Sequence, residues 1–533
     1  MPERLAQALE VKFDVVIAGG GFAGAYAARA LVKAWGQDAA RKRVALIAEQ
    51  NVLVFQPMLA EVAGSSLSPI DVVNPLREFC AGVTVLQGRV RRIDWQQREL
   101  ELDGGRFTRD HRVGFGELVL TLGSVTDLSR VPGMAEYGRP LKNVADALRI
   151  RASVINRMEE ANLVEDPELR RRLLKFVIVG GGYTGVETAG QIHDLIHEVQ
   201  RFYTRTRREE LQVVLVHSRD TLLNDIGPEL GNYAGTALQA RGLEIRLNTK
   251  VVEVTQSRAV LENGESIETH SVISTIGNAP NPVIARLADE LGIARDRGRL
   301  VVEPTLRIPG VDRLWAAGDC ALVPWSDRGA IKTCPPTAQF AQRQGTLLGR
   351  NIAAALGGGE PRPFKFYFLG QLASIGAREA VAEVLGFRFR GFIAWWMWRT
   401  IYLSKLPSLK RKLRVVADWT FDLVFARDIS LVLPPPEEVL RAIHLETDEE
   451  LFAAGDPCRG VYYVRSGAVV LTTADGATHP YPAGEVIHRE ALDENGCWKG
   501  RAHATESTAI VVFRQLALKL LQEELELRPR VRL

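Results

Sequence analysis

A chain of 533 residues is several times the usual domain length, and 46% apolar with 25% charged residues is an ordinary globular balance, which excludes fibrous and disordered classes. A formal charge of +3, with no reading motif, argues against a nucleic-acid partner. Cys80, Cys320, Cys334, Cys458 and Cys497 are scattered without a CxxC pair, so no disulfide framework, metal centre or dithiol is expected, and a reducing, cytosol-facing location fits. The opening residues carry Glu3, Arg4 and Glu10 and do not read as a secretory signal. No stretch reaches the length of a membrane span.

Residues 13–18 (FDVVIA) read as a buried strand, and Gly19, Gly20, Gly21, Phe22, Ala23 and Gly24 follow before an Ala-rich helical stretch. This is GxGxxG in the strand–turn–helix context that dinucleotide binding requires. Gly19 permits the tight turn, Gly21 lets backbone approach a pyrophosphate, and Gly24 lets the helix pack on the strand. A strand over 43–48 then ends at Glu49, placed to accept hydrogen bonds from ribose hydroxyls. A glycine turn without ligand is the plain alternative; strand, helix and acid together weigh against it.

The unit recurs about 160 residues on, with a strand at 176–179 and a turn through Gly180, Gly182 and Gly185. Two dinucleotides are implied. The next strand, Gln212–Val216, is followed by His217, Ser218 and Arg219 rather than by an acid. An acid would repel the 2'-phosphate of NADPH, whereas these residues can bind one, so NADH and NADPH both stay open.

Three further pieces resemble the segments that close the site in two-dinucleotide flavoproteins: residues 118–122 with Gly123, residues 274–277 ending at Gly277, and residues 314–319 ending at Gly318 and Asp319. The last can place a carboxylate on a ribityl chain while the following helix turns its positive end to the flavin ring. Taken with Phe55, Gln56 and Pro57 through Ala63, Gly185-Val186-Glu187, and Pro335 through Ala341, the chain resembles the type II NADH dehydrogenases, single-subunit NADH:quinone oxidoreductases that do not pump protons. The match runs from about residue 13 to about 428.

The resemblance implies FAD held by Gly19, Gly21, Gly24, Glu49, Gly123, Gly318, Asp319 and Ala338, and NAD(P)H held by Gly180, Gly182, Gly185, His217 and Gly277. It places Glu187 beside the isoalloxazine ring. On a helix start such a carboxylate is stabilised by the dipole and can relay protons, or it simply caps its own helix. Gln339 would meet the flavin or a quinone carbonyl. Arg343 stands where the family's AQxAxQ segment has its second glutamine, and Lys405 matches a lysine near the quinone. The mechanism implied is hydride transfer to FAD and two-electron delivery to quinone. An NADPH-dependent reductase with another acceptor, or a non-catalytic NADH-binding flavoprotein regulated through its C-terminal region, are the alternatives.

Residues 392–398 hold Phe392, Trp395, Trp396 and Trp398, and no acid lies between Glu383 and Asp418, an interval with eight Lys and Arg. That suits peripheral attachment to an anionic membrane surface, on its cytoplasmic side; dimer-interface aromatics with a solvated basic face are the alternative. Pro434, Pro435 and Pro436 read as a linker. Beyond it, short apolar runs separated by turns suggest a small antiparallel barrel or jelly roll. Phe452, Gly455, Tyr462, Val464, Ser466 and Gly467 resemble the opening of a cyclic nucleotide-binding domain. Its phosphate end is poor: Glu485 or Glu490 would have to serve as the ribose acid, and Arg501 is out of register, so dimerisation or regulation is at least as good a reading as a cyclic nucleotide.

The expected architecture is therefore α/β: two Rossmann-like domains, a membrane-facing segment and a β domain. Residues 11–145 and 286–360 would bind FAD, 146–285 NAD(P)H, 361–433 membrane and quinone, and 437–533 would form the barrel, in a homodimer.

Overall fold

The computed structural model describes residues 10–103, 110–327, 330–366, 368, 370–406, 408–422, 424–431, 440–456, 458, 460–473, 475–487 and 497–513. The three linker prolines and Glu490 lie outside these residues. Lys12–Leu100 and Gly114–Pro434 form one compact unit, and Pro435–Leu533 falls in another.

In the larger unit the first fingerprint sits on a seven-stranded sheet whose centre runs Thr84–Gln87, Val44–Ala48, Glu10–Ala18, His111–Leu120, with Leu314–Ala316 beside the last. The pairing of Val15 with Val44 through Ala18 with Ile47 is parallel. Both faces are covered, which is why Val44–Ala48 is buried at every position and reads as an unbroken apolar run. Helix α1 (Phe22–Trp35) follows the glycine turn.

The second sheet has five strands, in the order Gly138–Pro140, Ser271–Ser274, Lys175–Val179, Gln212–Val216, Glu244–Arg246, all parallel. It repeats the first design. Two helices from the two halves pack on each other: α2 (Leu59–Ala63), buried at all five positions, and α3 (Tyr183–Val199), which opens the second fingerprint.

Two boundaries differ from the sequence expectation. The strand ending at Gly123 stops at Leu120, because Thr121 N–H turns to donate to Ala18 O at 2.8 Å. The segment ending at Asp319 continues as a single 3-10 turn, Gly318–Cys320, so the long helix facing the site is α4 (Ala338–Leu356) instead. Helix α4 lies against α1 at very short range. A Cβ on Gly345 would stand 2.1 Å from Ala23 O, and one on Gly349 2.4 Å from Ala27 O, so both positions demand glycine.

A three-stranded antiparallel sheet, Gly370–Gly376, Glu379–Val384 and Phe387–Arg390, then carries α5 (Gly391–Lys405) and α6 (Leu409–Phe421). No helix among the described residues is long and apolar enough to cross a membrane.

In the C-terminal unit two four-stranded antiparallel sheets share one core that includes Val464, Val469, Leu471 and Ile510. Trp498 stacks on Phe452 at 3.8 Å and meets Tyr462 edge-on at 5.4 Å. Gly467 holds φ at +80°, and Arg501 projects outward from Gly500–Ala504.

Candidate functional site

A cavity of about 380 Å³ gathers Gly19, Gly21, Glu49, Gly123, Gly318, Asp319 and Ala338, seven of the eight residues expected to hold the first dinucleotide. The eighth, Gly24, lies behind the turn: a Cβ there would stand 1.9 Å from Gly19 O. At Gly21 the space a Cβ would occupy is clear of other atoms out to 4 Å, leaving the open backbone that a pyrophosphate needs.

Thr121 makes the turn rigid. Its hydroxyl donates to Ala18 O and Gly19 O, both at 3.0 Å. The second fingerprint is held identically, Thr275 Oγ1 meeting Val179 O at 2.9 Å and Gly180 O at 3.2 Å. These paired latches sit two residues before Gly123 and Gly277, inside the segments that end on those glycines.

Glu49 accepts from Arg89 Nη2 at 2.6 Å on the exposed rim. Burial pushes the Asp319 carboxyl up, against the cations Lys142 and Arg299. Gly318 N–H donates to the buried Gln344 Oε1 at 2.8 Å. Arg89, Lys142, Thr121 and Gln344 were not legible in the sequence. Only their distance from the glycines in space, not in sequence, marks them.

His217 is tied to the second glycine turn. Gly181 N–H donates to its Nδ1 at 3.0 Å, which makes Nδ1 the acceptor and leaves the Nε2 hydrogen to reach Asn224 Oδ1, also at 3.0 Å. Both ring nitrogens are committed within the chain. The ring thus fastens the glycine loop at the second fingerprint.

Glu187 lies one turn into α3, 8% exposed. Its Oε1 accepts from Ser374 N–H and from the Trp398 indole, both at 3.2 Å, so it does not cap its own helix. The expected dipole stabilisation is also overruled. Burial pushes the carboxyl up to about 8, with the neighbouring Glu61 adding to the rise. Glu61, on α2, is a near copy: it accepts from the Trp419 indole at 3.2 Å. The two indoles lie 6.3 Å apart.

On α4, the buried Gln339 Nε2 has no hydrogen-bond partner among the described residues. Arg343 donates to Gln339 O at 2.9 Å and lies over the Phe366 ring at 4.1 Å. Burial holds both Arg343 and Lys405 below their usual range, and for Lys405 the Arg343 charge adds to it. Arg343 thus lies one turn from Gln339 on α4 and within electrostatic reach of Lys405. Cys80, Cys320 and Cys334 are buried, which pushes each thiol up to about 12 and leaves it unreactive.

Comparison with known proteins gives the family. Residues 13–345 match the pyridine nucleotide-disulphide oxidoreductase family, 368–428 the NDH2 C-terminal domain, and 442–524 the cyclic nucleotide-binding domain. The type II NADH:quinone oxidoreductase Ndh of Mycobacterium tuberculosis is 30% identical over 82% of this chain and 94% of its own length. A probable NADH dehydrogenase of Dictyostelium discoideum is 29% identical, over 73% of this chain and 85% of its own. In fold, the structure of NDH2 from Plasmodium falciparum in complex with NADH superimposes with a TM-score of 0.71 at 18% identity, covering 79% of this chain and 99% of that one. With fingerprints, C-terminal segment and relatives in agreement, the chain belongs to the type II NADH:quinone oxidoreductases.

Proposed function

We propose that this chain holds FAD in the 380 Å³ cavity, oxidises NADH at the second fingerprint, and passes two electrons to a membrane quinone without pumping protons. The observation that carries the reading is that Arg343 adjoins both Gln339, one turn away on α4, and Lys405, while the first residue of α4, Ala338, lines the dinucleotide cradle. Bound FAD supplies the hydride-accepting, electron-donating ring.

The chain's own residues supply the rest. The Gly180 turn, latched by Thr275 and His217, presents backbone N–H groups and the N-terminus of α3 to the pyrophosphate. Gln339 offers an amide donor to a carbonyl oxygen, and Arg343 and Lys405 favour the negative charge that grows there during reduction. Glu187, protonated at neutral pH because it is buried, is positioned as a proton donor.

Because the matched relatives are named for NADH, NADH should bleach the yellow protein at least tenfold faster than NADPH, and a soluble quinone should restore the colour. A chain that NADPH bleaches equally well, or that quinone leaves reduced, would not be this enzyme.

For attachment, α5 and α6 present an apolar face: Phe392, Ile393, Trp396, Leu409 and Leu413 are each more than half exposed. Part of the expected aromatic and basic belt faces inward instead: Trp398 binds Glu187, and Arg411 pairs with the buried Asp71 at 3.6 Å, while the half-exposed Arg414 reaches the same carboxylate at 3.7 Å. Trp396→Ser with Phe392→Ser should weaken co-sedimentation with phosphatidylserine-containing vesicles about tenfold. Unchanged pelleting would remove this face from the reading.

A further inference from the structure

Beside the two glutamates lies a second cavity, of about 650 Å³, with walls far more polar than those of the cradle. Glu61 lines it; Glu187 does not. Arg399, Asp422 and Arg427 stand on its wall together with Gln191. Glu61 is 5% exposed, and while its Oε1 takes the Trp419 indole, its Oε2 has no hydrogen-bond partner among the described residues. A buried carboxylate oxygen without a partner is costly unless it carries a proton or meets water.

The reaction needs such a group. Oxidising NADH to NAD⁺ releases a hydride, which is two electrons and one proton; reducing a quinone to a quinol consumes two electrons and two protons. One proton per turnover must therefore come from water. Hydride transfer itself calls for a site closed to water, so the proton needs an entrance of its own.

We propose that Glu61 is the relay through which that proton enters, taking it from water in the polar cavity and passing it to Glu187. The inference rests on the proposed quinone reduction. Glu187 protonates the quinone oxygen and is left as a carboxylate; Glu61 returns a proton to it, and a water-borne proton restores Glu61. The cavity is large enough to hold a chain of waters.

Three charged groups act on Glu61: Arg399 on α5 and Arg427 beyond α6 favour its carboxylate, while Asp422, just after α6, opposes it; Glu61 in turn raises Glu187. Burial outweighs the cations and pushes Glu61 up to about 7, so that both its protonated and its ionised form are populated near neutral pH, as a relay requires. The Trp419 indole fixes one oxygen of Glu61 and leaves the other, Oε2, to exchange.

Glu61→Gln keeps the size of the side chain and the oxygen that accepts from Trp419. The experiment compares the FAD-loaded wild type and variant by stopped flow, following bleaching by NADH and re-oxidation by a soluble quinone separately from pH 6 to 9. Bleaching is expected to stay within about twofold, while re-oxidation slows at least tenfold and is partly recovered in Glu61→Asp. A readout independent of turnover accompanies it. Infrared difference spectra of the oxidised wild type should show a protonated carboxyl band lost near pH 7, absent from Glu61→Gln. Arg399→Met, which removes a cation beside Glu61, should move that loss to higher pH. Re-oxidation of Glu61→Gln within twofold of wild type, or an infrared band that Glu61→Gln and Arg399→Met leave unchanged, would overturn the relay. Wild-type protein that NADH bleaches but quinone never re-oxidises would overturn the quinone reading itself.

Discussion

Glu187→Gln is expected to slow re-oxidation of the reduced flavin by quinone about a hundredfold, with bleaching by NADH changed no more than about twofold. The amide keeps an oxygen for Ser374 N–H and the Trp398 indole but cannot surrender a proton. Stopped-flow traces of the two half-reactions separate the effects, and equal slowing of both would mean that Glu187 only shapes the pocket. In the wild type the donor form exists below about pH 8, so the quinone step should fall as pH rises through that value. Stability follows the same sign. A carboxyl raised in the folded chain from 4.5 to about 8 binds more protons folded than unfolded across that window. Thermal stability should therefore decline from about pH 5 to pH 8, and less steeply in Glu187→Gln.

The second large effect separates the two dinucleotide sites. A Cβ at position 185 would stand 1.7 Å from Gly180 O, and one at position 24 would stand 1.9 Å from Gly19 O. Neither carbonyl can retreat, since Thr275 and Thr121 hold both. Gly185→Val should purify yellow yet bleach with NADH at least a hundredfold more slowly, whereas Gly24→Val should purify without flavin absorbance. Visible spectra before and after NADH are enough to tell them apart. If Gly24→Val stayed yellow, the 380 Å³ cavity would not be the flavin site.

The glycine turns were legible because their requirement is local: strand, tight turn and helix lie within a dozen consecutive residues. Glu49 and Asp319 were legible at one remove, as strand ends. What stayed hidden depends on partners distant in the chain. Thr121 reaches back 102 residues to Gly19, and Trp419 reaches 358 to Glu61. No period or spacing encodes such pairs. His217 stands out for a sound reason, the absence of an acid, but its role could not be read without Gly181 and Asn224 around it. The tryptophans mislead in another way. A run of aromatic and basic residues reads as one surface, yet a helix divides them, turning Trp398 to Glu187 and Trp396 to solvent.

The duplicated threonine latches bear on how coenzymes come and go. Each loop has its shape fixed by hydroxyl-to-carbonyl bonds inside the protein, with no contribution from the molecule it will receive. Little conformational entropy then remains to be lost on docking, and the affinity is free to come from the phosphates alone. For the flavin this favours a lasting embrace. For the nicotinamide the same economy works in both directions: an oxidised coenzyme leaves a loop that needs no refolding before the next one lands.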